Sequence, residues 1–295
     1  MVEVDIFLAD SKDSFYPGET IAGHVSVKSQ QLIEARNLVI RIVGKSKVEW
    51  SKRRHNRTVY YSSNHRILEE QIEAWERRDK WDKLPGSEFP FEFTLPYDLP
   101  PTFKTKYGEV YYKIKATIDV PNWFDKEAEF VFGVEPFYDL NSEPGSSKPQ
   151  RVDVQKTYGF FTGDDVDIQS QLDKQGYAVD EKINCSVDVQ NPSNRYVKSV
   201  ELSLHQRVAY KAEGHKKRKS EKLVSYEKQI DEANEQTLAN LFVRIPPTTP
   251  TFETPNIILS YEVKIRLCIN GKLWDNYPDI YFPVDIGTVS TQRNY

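Results

Sequence analysis

Cysteine is scarce, with two residues in 295. A disulfide framework or a Cys-rich zinc site needs clustered ligands at defined spacing, so both are excluded, and a reducing compartment fits. A surplus of positive charge is also missing: 40 Lys and Arg face 44 Asp and Glu, for a formal net charge of −4. Non-specific affinity for nucleic acid comes from cations neutralising phosphates, so no nucleic-acid partner is expected, although local basic patches stay open. Long apolar runs are absent as well. No stretch of about 18 apolar residues occurs, and residues 1–12 carry neither a basic region nor a continuous apolar segment. The sequence therefore predicts no secretory signal and no membrane span, and the one sequon, Asn56-Arg57-Thr58, reads as chance.

Catalytic motifs are missing too. His24, His55, His65, His205 and His215 are scattered, with no nucleophile motif beside them, so no catalytic residue is assigned and the chain reads as a non-enzyme. Asp164-Asp165-Val166-Asp167 lacks the glycine and distal glutamate of a calcium loop and reads as a solvated acidic turn. No metal and no cofactor is expected.

Aromatics and proline are plentiful: 17 Tyr, 15 Phe and 17 Pro favour strands and punctuated turns. At ~100–200 residues per domain the length suggests two domains, and the sequence compared with itself supports this. Thr20-Ile21 leading into Val25-Ser26-Val27 recurs as Lys182-Ile183 leading into Val187-Asp188-Val189. At the same offset Leu38, Ile40 and Ile42 fall on Val200, Leu202 and Leu204. After a loop-length difference Phe91-Glu92-Phe93 answers Leu241-Phe242-Val243, Tyr112-Lys113-Ile114 answers Tyr261-Glu262-Val263, and Phe130, Phe132 and Val134 answer Ile280, Phe282 and Val284.

Each block alternates apolar and polar residues with period two, which puts one face of an extended strand on a core and the other in water. Pro-rich separators such as Leu99-Pro100-Pro101 and Ile245-Pro246-Pro247 interrupt the ladders. The expectation is all-β: two tandem immunoglobulin-like sandwiches over 1–140 and 151–295, joined by a linker at 141–150 that lacks an apolar anchor. One stretch is ambiguous. Leu68, Ile72 and Trp75 lie at helical spacing, with Glu73/Arg77 and Glu76/Lys80 available as ion pairs, so a single short helix or an irregular strand is expected there.

With these blocks in place, Tyr16-Pro17-Gly18-Glu19-Thr20-Ile21-Ala22-Gly23-His24-Val25 resembles the opening motif of arrestin-fold proteins. Phe89-Pro90-Phe91-Glu92-Phe93-Thr94-Leu95-Pro96, followed by Tyr107-Gly108-Glu109-Val110-Tyr111-Tyr112-Lys113-Ile114-Lys115-Ala116, is similar to the family's FxFxLP and GxVxYxIKA signature. The segments 175–183, 189–193 and 282–287 look like the carboxy-terminal arrestin domain, and the α-arrestins are the most similar group. The resemblance implies two concave β-sandwiches. It also implies an intracellular adaptor, recruited peripherally to plasma membrane or endosomes, that binds cytoplasmic tails of membrane proteins and serves protein transport, endocytosis and signalling. A structural subunit of an endosomal sorting coat, retromer-like, is the alternative.

The group commonly recruits a ubiquitin ligase through PPxY motifs. None is present: Pro100-Pro101-Thr102-Phe103 and Pro246-Pro247-Thr248-Thr249 lack the tyrosine. A thioredoxin-bonding member of the group uses a cysteine in a segment that here reads Asn234-Glu235-Gln236-Thr237-Leu238-Ala239-Asn240, so thioredoxin is not an expected partner.

Two basic clusters follow corresponding strands: Lys45, Lys47, Lys52, Arg53, Arg54 and Arg57 in the first repeat, and Lys216, Lys217, Arg218 and Lys219 in the second. They read either as solvated hairpin loops or as an anion-binding face for membrane surfaces or phosphorylated, acidic tails. By strand parity Cys185 should be core and Cys268 outward, which disfavours a bond between them.

Overall fold

The structure is a computed structural model that describes residues 2–55, 57–121, 124–158, 164–191, 197–230, 235–269 and 279–291; the side chains of 156–158, 164, 165 and 269 are not described. Two compact units are resolved. The first is Met1–Pro136 with the short stretches Tyr210–Lys217 and Glu253–Ile257, and the second is the remainder.

The first repeat supplies β1 (Glu3–Leu8), β2 (Ser14–Phe15), β3 (Thr20–Lys28), β4 (Asn37–Arg54), β5 (Arg57–Glu76), β6 (Glu88–Thr94), β7 (Phe103–Lys104), β8 (Gly108–Asp119) and β9 (Lys126–Val134). The second supplies β10 (Gln150–Tyr158), β11 (Asp164–Leu172), β12 (Gly176–Ala178), β13 (Lys182–Gln190), β14 (Val197–Ala212), β15 (His215–Gln229), β16 (Gln236–Arg244), β17 (Phe252–Glu253), β18 (Ile257–Ile269) and β19 (Asp279–Gly287). A 3-10 turn, Leu140–Ser142, is the only helical element among the described residues.

Strand order repeats as the sequence does. One sheet runs β2-β9-β8-β4-β5 with β7 on β8, and its counterpart runs β12-β19-β18-β14-β15 with β17 on β18. Each contains one short parallel pair, β2 with β9 and β12 with β19. The facing sheets are β1-β3-β6 and β10-β11-β13-β16. Phe91, Phe93 and Ile114 and their repeat mates Leu241, Val243 and Val263 are all buried, so the period-two reading holds. In the first unit the two layers meet through rings, with Phe93 and Phe132 centroids 6.3 Å apart.

Local chemistry repeats too. Gly18 has φ +85°, which closes the Pro17-Gly18 turn, and Glu19 accepts hydrogen bonds from the Tyr16 N–H at 2.8 Å and from Lys12. In the second repeat Asp180 takes the left-handed position at φ 66°, a conformation Asp tolerates better than most residues. Glu181 there accepts from the Ala178 N–H at 2.8 Å and from Lys174 at 2.7 Å. The proline strings are also structural. Tyr112 donates its hydroxyl proton to the Pro100 carbonyl at 2.5 Å and Tyr261 does the same to the Thr249 carbonyl. Thr102 and Thr251 then accept from Val134 and Ile286 at 2.8 and 3.0 Å. Each string is thereby pinned between two strands of its own sheet.

The ambiguous stretch is strand, not helix. Two register shifts in the β4–β5 ladder explain its pattern: Gly44 faces Leu68 while Lys45 faces Arg66, and Leu38 faces Trp75 while Val39 faces Glu73. Each bulge inserts one unpaired residue, Ile67 and Ala74, and flips the parity of the residues beyond it. Leu68, Ile72 and Trp75 acquire i, i+4, i+7 spacing from this flip on a single extended face, and the Glu73/Arg77 and Glu76/Lys80 pairs do not form.

One further expectation changes. Asp164 to Asp167 open β11 instead of making a turn; the Asp164 and Asp165 side chains lie outside the described residues. Within the stretch 141–150 Ser146 is buried, and Leu140 just before the stretch is 1% exposed against Gly176 and Gly287.

Candidate functional site

The two basic clusters sit on strands that flank hairpin tips rather than in loops. Lys45, Lys47, Lys52, Arg53 and Arg54 belong to β4, Arg57 opens β5, and Lys216, Lys217, Arg218 and Lys219 lie at the start of β15. The first hairpin turns at His55, where φ is 50°, and Asn56 lies outside the described residues. The second turns at Glu213 and Gly214, both with positive φ.

Strand alternation divides each cluster. Lys45, Lys47 and Arg53 share one face of β4, while Lys52 and Arg54 continue the face that carries buried Val48 and Trp50 toward the core. Arg54 pairs directly with Arg57, and like charges placed opposite each other repel. Beyond Trp50 both faces of the hairpin are in water. Among the described residues no carboxylate forms an ion pair with Lys45, Lys47, Lys52, Arg53, Arg54, Arg57, Lys216 or Arg218. Cations left uncompensated on an extended hairpin raise a local positive field in a protein of negative net charge.

The stretch Tyr210–Lys217 belongs to the first unit, and it carries part of the second cluster. Within that unit the His215 ring lies 4.6 Å from the Tyr61 ring, which stacks on Trp50. Lys217 sits 4.2 Å over the Tyr107 ring, a cation–π contact that holds it in place. His215 and Lys216 are therefore close to the Trp50–Tyr61 pair from which the first hairpin tip projects. Lys52, Arg53, Arg54 and Arg57 lie at the basic end of the first hairpin beyond Trp50 and Tyr61, and Lys45 and Lys47 lie further down β4.

The two cysteines take the places that strand parity suggests. Cys185 is buried, and burial pushes its thiol up to about 12, with Asp173 adding to the effect. Cys268 is partly exposed, and both cysteines are free. His205 is held below its ordinary value by burial and shares a 3.1 Å hydrogen bond with Ser203. No group of three or more His, Cys, Asp and Glu able to hold a metal occurs among the described residues. No helix among them is long and apolar enough to cross a membrane.

Reading for cations missed a surface of opposite sign. Glu3 and Asp5 alternate with Val4, Ile6 and Leu8, and Glu88 and Glu92 alternate with Phe89, Phe91 and Phe93, so all four carboxylates stand on the outer face of the β1-β3-β6 sheet. The alternation was visible in each strand separately, but their juxtaposition follows only from the pairing.

Fold and repeated devices define a protein of two arrestin-type domains. Family comparison agrees: the model for the arrestin (or S-antigen) N-terminal domain matches residues 4–141, and that for the arrestin (or S-antigen) C-terminal domain matches 162–291. The chain belongs to the arrestin family and is α-arrestin-like. It is 28% identical over 216 residues to human arrestin domain-containing protein 1, covering 70% of this chain and 47% of that protein. To human arrestin domain-containing protein 4 it is 25% identical over 302 residues, covering 96% and 70%. To mouse thioredoxin-interacting protein it is 28% identical over 232 residues, covering 75% and 57%. The match thus spans about half the length of arrestin domain-containing protein 1.

Proposed function

We propose that the protein is a non-enzymatic adaptor that binds cytoplasmic segments of membrane-protein cargo and links them to trafficking, endocytosis or ubiquitination machinery. Its domains would meet near 141–150, and it would act at plasma membrane or endosomes. The observation that carries this reading is the basic end of the first hairpin, where exposed cations lack ion-pair partners among the described residues, in a chain of two arrestin domains. The anionic partner is a phosphorylated tail: several phosphates on one flexible segment can engage cations on both faces of the hairpin, and charge-assisted bonds to Arg are the strong ones.

The test is binding of a multiply phosphorylated tail peptide, its unphosphorylated form and phosphatidylserine vesicles to wild type and to a variant with Lys52, Arg53, Arg54 and Arg57 replaced by Ser. The expected result is phosphate-dependent binding that weakens with salt and is lost in the variant, since exposed charges are screened over ~8 Å at physiological ionic strength. Equal binding by variant and wild type refutes the reading. Binding to vesicles alone assigns the cations to a membrane instead of a tail.

A further inference from the structure

The outer face of the β1-β3-β6 sheet is organised in rows. Paired residues on antiparallel strands share a side of the sheet, so Asp5, Ser26 and Glu88 stand abreast, and Phe7, His24 and Pro90 stand abreast in the next row. Ala22 and Glu92 form the row beyond. Successive rows are ~6.8 Å apart along the strands, and the outer strands are ~9.6 Å apart across them. The middle strand presents small Ser26 and Ala22 on either side of His24. A trough results, walled by Asp5 and Phe7 on one side and by Glu88, Pro90 and Glu92 on the other.

Its chemistry is unbalanced. Four carboxylates, Glu3, Asp5, Glu88 and Glu92, meet one cation, Lys28, whose Nζ is 3.8 Å from Asp5. His24 is 3.8 Å from the Glu88 carboxylate and stacks on Phe7 at 5.4 Å. Phe7 itself is left 45% exposed. Independently of the acids, Ser26 is only 8% exposed on this outer face, and its hydroxyl makes no hydrogen bond with a described residue. The Ser26 hydroxyl thus opens onto the trough between two carboxylates and beside an exposed ring, free to accept from a bound donor.

We infer that this trough binds an extended Lys/Arg-rich polypeptide segment with the pattern basic–x–apolar–x–basic. The first cation enters between Asp5 and Glu88 and donates to the Ser26 hydroxyl. The apolar side chain covers Phe7 and Pro90, and the second cation meets Glu92. An extended chain repeats every second residue at the same ~6.8 Å as the rows, so the registers match. The sign of the charge excludes a phosphorylated segment here and separates this surface from the basic hairpin. Cytoplasmic segments next to membrane spans carry excess Lys and Arg, so an adaptor for membrane proteins would meet such a partner, but the inference stands without that reading.

The test uses the full chain and fluorescence anisotropy with a labelled Lys-Ser-Leu-Ser-Arg peptide in a Gly-Ser flank and its inverse, Glu-Ser-Leu-Ser-Glu. Wild type should bind the basic peptide at low salt and not the acidic one. The double variant Glu88→Lys, Glu92→Lys, in which both positions are exposed and the melting temperature serves as a folding control, should lose roughly tenfold or more for the basic peptide and gain the acidic one. Ser26→Leu should weaken binding with no change of charge. Unchanged binding by the double variant, equal binding of both peptides by wild type, or no binding at all overturns the proposal. Self-association that the double variant abolishes would give the face to a second copy and would overturn it as well.

Discussion

Replacing each cysteine by serine tests the strand parity on which the fold account rests. Cys185 lies on the inner face of β13 with Ile183, Val187 and Val189, is 3% exposed, and is paired across the ladder with Leu172 and Leu241. Its only hydrogen-bond contact among the described residues is a 3.9 Å approach to the Ser186 carbonyl. A serine hydroxyl there would be desolvated without a good partner, which costs about 1–3 kcal/mol. For a domain of this size 1 kcal/mol shifts the melting temperature by about 2–4 °C, so Cys185→Ser should lower it by roughly 2–12 °C. Cys268→Ser, on the outer side of β18, should change stability by under about 0.5 kcal/mol. Differential scanning calorimetry reads both, and alkylation gives an independent check. Burial pushes the Cys185 thiol up to about 12, so Cys268 should react in the native state and Cys185 only on unfolding. Equal melting temperatures, or faster native labelling of Cys185, would refute the parity argument.

Ser170 is paired with Val187 on the same inner face and is 1% exposed, with its hydroxyl unpartnered, so Ser170→Ala should leave the melting temperature unchanged or raise it. A fall of more than about 1 kcal/mol in chemical denaturation would show a hydrogen bond that the structure does not contain. On β19 two carboxylates are shifted in opposite directions. Asp279 is desolvated, but hydrogen bonds from Arg266 and Lys264 outweigh that and hold it at about 2, below its ordinary 3.8. Its stabilisation is therefore present above the ordinary value and lost as pH falls through about 2, and Asp279→Asn should destabilise at pH 7 with a difference that shrinks toward that pH. Asp285 is raised by burial, with Glu143 adding to it, so its ionised form burdens the fold at neutral pH. Asp285→Asn should raise the melting temperature at pH 7, and the gain should fade in acid as the native carboxyl protonates.

Much of the fold was legible because its signals are local. Period-two alternation in Phe91/Phe93, Ile114 and their repeat mates identified the core, and the repeat itself exposed two domains with one strand order. The Pro17-Gly18-Glu19 motif was recognisable, whereas Asp180 in the place of Gly18 shows that the second repeat keeps the backbone geometry with a different residue. The misleading stretch was β5, where bulges at Ile67 and Ala74 turn a strand pattern into helical spacing, and no local rule reveals a bulge before its partner strand is known. The candidate sites were less legible for a similar reason. Lys52 through Arg54 look like one patch in the sequence, yet alternation sends them to opposite faces. Asp5, Ser26 and Glu88 are far apart in the chain, yet three paired strands set them side by side.

Proximity labelling in the native cells addresses the adaptor reading most directly, comparing wild type with the Lys52, Arg53, Arg54, Arg57→Ser variant, each fused to a biotin ligase and expressed at equal level. The account predicts that integral membrane proteins, labelled on their cytoplasmic segments, dominate the wild-type set and are depleted in the variant. A set made up of fixed soluble partners, the same for both proteins, would contradict it.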